Sequence, residues 1–313
     1  MTMPNFLIIG APKAGTTALY HYLKQHPQIY MSPIKEPAFF AFEGLKLDAG
    51  KPLDGGVNNR PEESIEWYRQ RISSSITNLE DYQALFQGVS NKIAIGEASP
   101  AYMYFPRAHE RIHYYIPDAK LIAILRHPGD RAYSSFLHRA QHGLDPLTDV
   151  NQILKKEDFN IRDVWWGFRH NVRIGFYYDQ LKRYFDKFDK NQIKVYLYED
   201  LDSNGVGLLQ DIFQFLGVDD TFVPDVSTKH LVSAIPKNKI WHQILTKPNL
   251  IRGVFKAILP DQLGKRIATN LKKRNLGKPQ LAPEVRRELN QLYREDILKL
   301  QDLIGRDLSK WLE

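Results

Sequence analysis

A chain of 313 residues, 43% hydrophobic and 25% charged, has the composition of a globular protein and the length of one large α/β domain or two small ones. It contains no cysteine, which excludes disulfides, thiolate metal sites and cysteine nucleophiles, and no stretch reaches the roughly 20 apolar residues of a membrane span. The net charge of +7 is local: residues 252–288 carry ten Lys or Arg against three acidic residues, a surplus equal to that of the whole chain. Such a segment fits a polyanion, a membrane surface or a multiply phosphorylated ligand, and equally a solvated helical surface.

The first apolar run, "NFLIIG" (5–10), lacks a basic flank and leads straight into a glycine loop. It reads as a buried strand and not a signal peptide, so a cytoplasmic chain is expected. A helix over 16–25 follows. Residues 44–63, "GLKLDAGKPLDGGVNNRPEE", are rich in Gly, Asp, Asn and Pro and read as a long loop of the kind that is often functional or mobile. Three more buried strands are expected at "KIAIGE" (92–97), "KLIAIL" (120–125) and "IKVYLYE" (193–199), leading into helices over 106–115, 129–142 and 205–216. Further helices fall near 147–157, 174–188 and 284–305; in the last, Val285, Leu289, Leu292, Tyr293, Ile297, Leu300 and Leu303 recur at helical spacing. This alternation predicts a three-layer, P-loop-like α/β fold with a central parallel sheet flanked by helices. Residues 1–313 form one domain, with 44–63 and the proline-punctuated 230–283 as loop or lid embellishments.

"GAPKAGTT" (10–17) nearly spells the nucleotide loop G-x-x-x-x-G-K-[ST], but Thr16 stands where the lysine belongs and Lys13 lies three positions earlier. A turn that opens a helix offers unpaired N–H groups to an anion. Gly10 and Gly15 allow the tight curl, and Thr16 and Thr17 add hydroxyls. In kinases and ATPases the missing lysine reaches the β- and γ-phosphates, and the next Ser/Thr holds magnesium. Lys13 instead places its charge near a first phosphate, which suits a donor whose transferable group lies just beyond one 5′-phosphate.

Together with "KEPAFF" (35–40), "GEASPAYMY" (96–104) and "LRHPGDRAYSSFLH" (125–138), this loop resembles those of the sulfotransferases that use 3′-phosphoadenosine 5′-phosphosulfate (PAPS). The branch in question contains heparan-sulfate-type enzymes and bacterial relatives. The resemblance extends through "GFYYDQLKRYF" (175–185), "VYLYEDL" (195–201) and the closing "LYREDILKLQDLIGRDLSKWL", and is weakest over 41–90 and 220–275. It implies that Lys13, Ala14, Gly15, Thr16 and Thr17 hold the 5′-phosphosulfate, with Lys13 also stabilising the leaving phosphate. It implies that Arg126 and Ser134 bind the 3′-phosphate, to which a guanidinium presents a planar fork. Glu36 matches the family's catalytic glutamate and would be the general base, with Lys35 beside it to orient the donor or restrain the carboxylate. Pro37, Phe39 and Phe40 would pack that loop onto the core. His127, where the family often has asparagine, is expected to matter little. A late basic loop closes on the donor in the family; here Arg274 and Lys278 are the candidates, and a membrane-surface face or recognition of an anionic acceptor stand as other readings of the segment.

Lys35, Glu97, Tyr102 and His138 are candidates for the acceptor side, with a structural role open for Glu97 and a core position open for Tyr102. His138, His142 and His170 are lesser candidates for the base, and Trp165–Trp166 reads as packing. Two departures bear on the acceptor: Ala38 replaces a histidine and Ala98 a lysine that heparan-type enzymes often carry, which weakens the case for a highly anionic glycan. The expected reaction is sulfuryl transfer from PAPS to a hydroxyl, with an amine as the lesser alternative, on a small metabolite, natural product or glycan. No metal, redox cofactor or nucleic-acid partner is expected. A P-loop kinase or NTPase, disfavoured by Thr16, and an inactive nucleotide- or polyanion-binding module are the alternatives.

Overall fold

The computed structural model describes residues 2–46, 69–141, 172–227, 235–236, 276–277 and 281–313. Its main sheet has five strands: β1 (Phe6–Gly10), β2 (Ile29–Met31), β3 (Ala94–Ala98), β4 (Lys120–Leu125) and β5 (Ile193–Leu197). They pair in the order β2-β3-β1-β4-β5, all parallel. The helices are α1 (Thr16–Leu23), α2 (Phe39–Phe42), α3 (Leu79–Ala84), α4 (Ala101–Tyr104), α5 (Ala108–Tyr115), α6 (Pro128–Gln141), α7 (Tyr178–Phe185), α8 (Tyr198–Ser203), α9 (Gly205–Leu216) and α10 (Pro283–Ile304).

The central strands are apolar without alternation because both faces of the sheet are covered. Leu7, Ile9, Leu121, Ala123 and Leu125 pack on one side with residues of α2, α5, α7 and α10, among them Phe39, Ile112, Leu181 and Leu289. Phe6, Ile8, Ile122 and Ile124 face the other side, with Leu19 and Leu23 of α1 and Leu209 and Phe213 of α9. The expected three layers are present. The expected strands and helices recur within a few residues; the turn before α7 is a short 3-10 helix, Arg173–Gly175. β2 was not expected, because three residues at the sheet edge are too few to show a period. The predicted helix at 147–157, most of loop 44–63 and most of segment 230–283 lie outside the described residues. Within the last, β6 (Ile235–Pro236) pairs antiparallel with β7 (Leu276–Gly277).

β1 is the switch point. The chain runs from it toward β3 and β2 on one side and toward β4 and β5 on the other, which opens a crevice at the carboxyl ends of the strands. The contact between β1 and β3 is close: Phe6 lies in register with Gly96, and a Cβ on Gly96 would sit 2.4 Å from the Phe6 ring. Gly96→Ala should therefore force a core aromatic to move and destabilise the fold by roughly 1–3 kcal/mol. A lowered urea midpoint is the expected result; an unchanged one would show that Phe6 has room to yield.

Candidate active site

The glycine loop occupies the crevice. After β1, Ala11 N–H donates to Ile124 O at 2.7 Å and Ala14 N–H to Ala11 O at 3.2 Å, which bends the chain back before α1 begins. Lys13 (φ 67°) and Gly15 (φ 101°) take left-handed conformations. Gly15 is the N-cap and supplies no side-chain acceptor, so the first-turn N–H groups of α1 are left for an incoming group. A Cβ there would also lie 3.1 Å from Leu201 and 3.2 Å from Tyr198. Ala14 and Thr16 are buried and Thr17 is half-buried. Burial pulls the Lys13 ammonium down to about 8; Glu36 opposes this, while Arg126, Lys35 and Arg131 add to it.

Arg126, at the end of β4, reaches over this loop. Its Nη1 donates to Lys13 O at 3.4 Å, and its guanidinium lies 4.7 Å from the centre of the Tyr198 ring. Among the described residues no carboxylate pairs with it. Ser134 is buried on α6. Between them the structure adds Arg131, wholly buried, whose Nε, Nη1 and Nη2 have no hydrogen-bond partner. The signal for Arg131 was present in "RHPGDRAYSS": it stands three residues before Ser134, on the same helical face. His127 has a structural task, since its Nε2 lies 3.1 Å from Trp311 O and its Nδ1 accepts from Asp130 N–H at 3.3 Å.

Glu36 lies on a second strained turn, with φ 63° at Glu36 and 54° at Ala38. Glu36 N–H donates to Ala98 O at 3.1 Å, Ala38 N–H to Ser99 Oγ at 3.0 Å, and Ile76 N–H to Pro37 O at 2.8 Å. Phe39, Phe40 and Phe42 anchor the turn in the core, as "KEPAFF" implied. The carboxylate is gripped from both sides: Lys35 Nζ is 2.6 Å from Oε1, and Arg71 Nη2 is 2.8 Å from Oε2. Burial raises its proton affinity, but the two cations outweigh that and hold it below the usual glutamate value. Arg71 escaped the sequence reading because it lies in the stretch that carries no recognisable motif.

Residues 3–301 match the family model described as sulfotransferase domain. The chain belongs to the sulfotransferase family. It is similar to carbohydrate sulfotransferase 15 of Homo sapiens, 28% identical over 248 residues that cover 69% of this chain and 44% of that protein. It is 26% identical over 316 residues to bifunctional heparan sulfate N-deacetylase/N-sulfotransferase 4 of Mus musculus, covering 99% of this chain and 31% of that protein. The chain thus spans less than half the length of these curated relatives. Among solved structures, a sulfotransferase from Alicyclobacillus acidocaldarius superposes with a TM-score of 0.70 at 30% identity, over 100% of both chains.

Two of the residues expected on the acceptor side of this sulfotransferase lie inside it. Glu97 and Tyr102 are wholly buried beneath the Glu36 turn, and Tyr104 is also buried. Tyr82 Oη donates to Glu97 Oε1 at 3.3 Å, and Tyr102 and Ser99 interact with the same carboxyl. They are buried beneath the turn and not exposed on its surface. His138 is partly exposed one turn beyond Ser134. Arg274, Lys278, His142, His170, Trp165 and Trp166 lie outside the described residues. Among the described residues no helix is long and apolar enough to cross a membrane, and no three acidic or histidine groups cluster as metal ligands.

Burial pushes Glu97 up to about 7, with Tyr102, Ser99 and Tyr82 restraining the rise and Glu36 adding to it. The unfolded chain would ionise this group near 4.5. Between these values the unfolded state binds fewer protons, so stability falls as pH rises, by an amount on the order of 3 kcal/mol. Glu97→Gln removes the titration. Its melting temperature relative to wild type should climb between about pH 5 and pH 8; a constant difference would show that Glu97 does not titrate in this range.

Proposed function

We propose that the chain transfers the sulfuryl group of PAPS to a hydroxyl of a carbohydrate or small-molecule acceptor, with Glu36 as general base. The observation that carries this reading is that two strained turns, the glycine loop after β1 with Lys13 and the Glu36 turn bonded to Ala98 O on the adjacent β3, meet at the carboxyl ends of paired strands. The residues present fit the donor. The uncapped start of α1 suits a 5′-phosphate. Among the described residues Arg126 has no carboxylate partner and the buried Arg131 no hydrogen-bond partner, which leaves positive charge for the 3′-phosphate. When bound, PAPS supplies the sulfuryl group.

Lys13 and the N–H groups of Gly15, Thr16 and Thr17 would hold the phosphosulfate, and charge on the leaving 5′-phosphate would meet the Lys13 ammonium. Arg126 and Ser134 would hold the 3′-phosphate. Glu36, ionised at neutral pH, would take the acceptor proton as the new sulfur–oxygen bond forms. The similarity to a carbohydrate sulfotransferase and a heparan sulfate N-sulfotransferase supports a glycan acceptor. Membership of the family removes the kinase reading.

Two substitutions test the assigned roles. Glu36→Gln should slow sulfuryl transfer by roughly 100-fold or more while leaving calorimetric binding of 3′-phosphoadenosine 5′-phosphate almost as tight; full turnover would remove Glu36 as base. Arg126→Ala should weaken binding of 3′-phosphoadenosine 5′-phosphate about tenfold or more and that of ATP far less. Equal losses would show that Arg126 does not read the 3′-phosphate.

A further inference from the structure

Both sides of the Glu36 carboxylate are occupied, by Lys35 on Oε1 and by Arg71 on Oε2. A base must present a lone pair to the proton that it takes. A carboxylate offers about four lone-pair sites, so two cations leave some of them open. Withdrawal of one cation would free another and raise the basicity of Glu36, and the two cations are built differently. Lys35 belongs to the strained turn itself, and its charge is felt at Lys13, in the loop that receives the anion. It has a competing partner as soon as negative charge arrives there.

Arg71 comes from elsewhere, the helical turn over 69–73. That turn is closed by Ser75 Oγ and Ser74 Oγ, which donate to Arg71 O at 2.7 and 3.0 Å. Ile72 is buried in the core next to it, and Ile76 N–H ties the segment to Pro37 O, one residue past Glu36. The segment that carries Arg71 is thus tied by a backbone hydrogen bond to the turn that carries Glu36.

We propose that Arg71 is the fixed positioning residue of Glu36 and Lys35 the exchangeable one: negative charge of the bound donor draws Lys35 off Oε1, while Arg71 keeps Oε2 and the aim of the carboxylate. Among the described residues the charged groups that face Glu36 are Lys35, Arg71, Lys13 and, below it, Glu97. Of these, Lys35 both touches the carboxylate and shares the field of Lys13. The base is paired in the empty enzyme and freed on one side when the donor is in place. This rests on the proposed reading of Glu36 as base and of the glycine loop as donor site.

The test uses the full chain with carbon-13 in its glutamate carboxyls, the Glu36 signal being assigned by its loss in Glu36→Gln. The midpoint of Glu36 is followed in wild type, Arg71→Gln and Lys35→Met, each alone and saturated with PAPS. Comparing variants in the same ligand state cancels the direct repulsion between donor and carboxylate. Arg71→Gln should raise the midpoint by about one pH unit in both states. Lys35→Met should raise it only without PAPS. Arg71→Lys, which keeps the charge, should restore much of the wild-type value and serves if Arg71→Gln does not fold. An Arg71 effect that vanishes with PAPS, or is absent throughout, overturns the assignment. Failure of PAPS to bind overturns the donor reading and the exchange with it. Unchanged turnover in Glu36→Gln overturns the base reading while leaving the titrations to judge the pairing.

Discussion

Positive charge crowds around one carboxylate at the carboxyl end of β1. Lys13, Lys35, Arg71 and Arg126 approach Glu36 or the loop that faces it, and Arg131 adds its charge from within the core. Burial first, and the neighbouring cations after it, hold the Lys13 ammonium to about 8, and Arg131 is buried with no hydrogen-bond partner for any of its three nitrogens. A buried unpaired guanidinium costs several kcal/mol. Such an arrangement persists only on a rigid support, which is what a parallel sheet covered on both faces provides. The same excess is what the binding of a multiply charged anion, as proposed, would offset.

The backbone carries a matching constraint. Lys13, Glu36 and Ala38 all adopt positive φ without being glycine, a conformation that costs of order 1–3 kcal/mol per residue. All three lie on the two turns that meet at the crevice. The Glu36 turn is held by hydrogen bonds to Ala98, Ser99 and Ile76 and by the aromatic anchor of Phe39 and Phe40. Those residues belong to β3, to the chain just after it, to the Arg71 segment and to α2. Glu36 is thus positioned by four separate pieces of chain, and Glu97 below them is wholly buried. Its raised proton affinity is a by-product of this burial: a carboxyl that carries no exposed function sits where water cannot reach it.

How much of this was legible follows from where the information lies. β1, β3, β4 and β5 were readable because strands buried on both faces are runs of apolar residues, and the loop and the "RHPGDR" turn stand immediately after two of them. β2 was not, since an edge strand of three residues has no run to read. Thr16, Arg126, Ser134 and Glu36 could be carried over from motifs. Glu97 and Tyr102 were harder, because "GEASPAYMY" shows which residues stand beside the site but not which way they point. Strand period places Glu97 on a face, and only packing by Tyr82 and Phe40 decides that this face is closed. Arg71 had no local signal at all.

That last case bears on the acceptor. Counted along the motifs, the chain has lost cations: Ala38 and Ala98 stand where heparan-type enzymes often carry a histidine and a lysine. Counted in space, Glu36 has two cations on it, and one of them arrives from 35 residues away. A motif records charge only where it is adjacent in sequence, whereas an acceptor meets the charge that the fold assembles. Both Lys35 and Arg71 are about one-fifth exposed at the mouth of the turn, beside a partly exposed Glu36. The two alanines therefore do not make the entrance neutral. Positive charge at the entrance comes from Lys35 on the turn and Arg71 of a neighbouring segment, so the two alanines alone do not argue against an anionic acceptor.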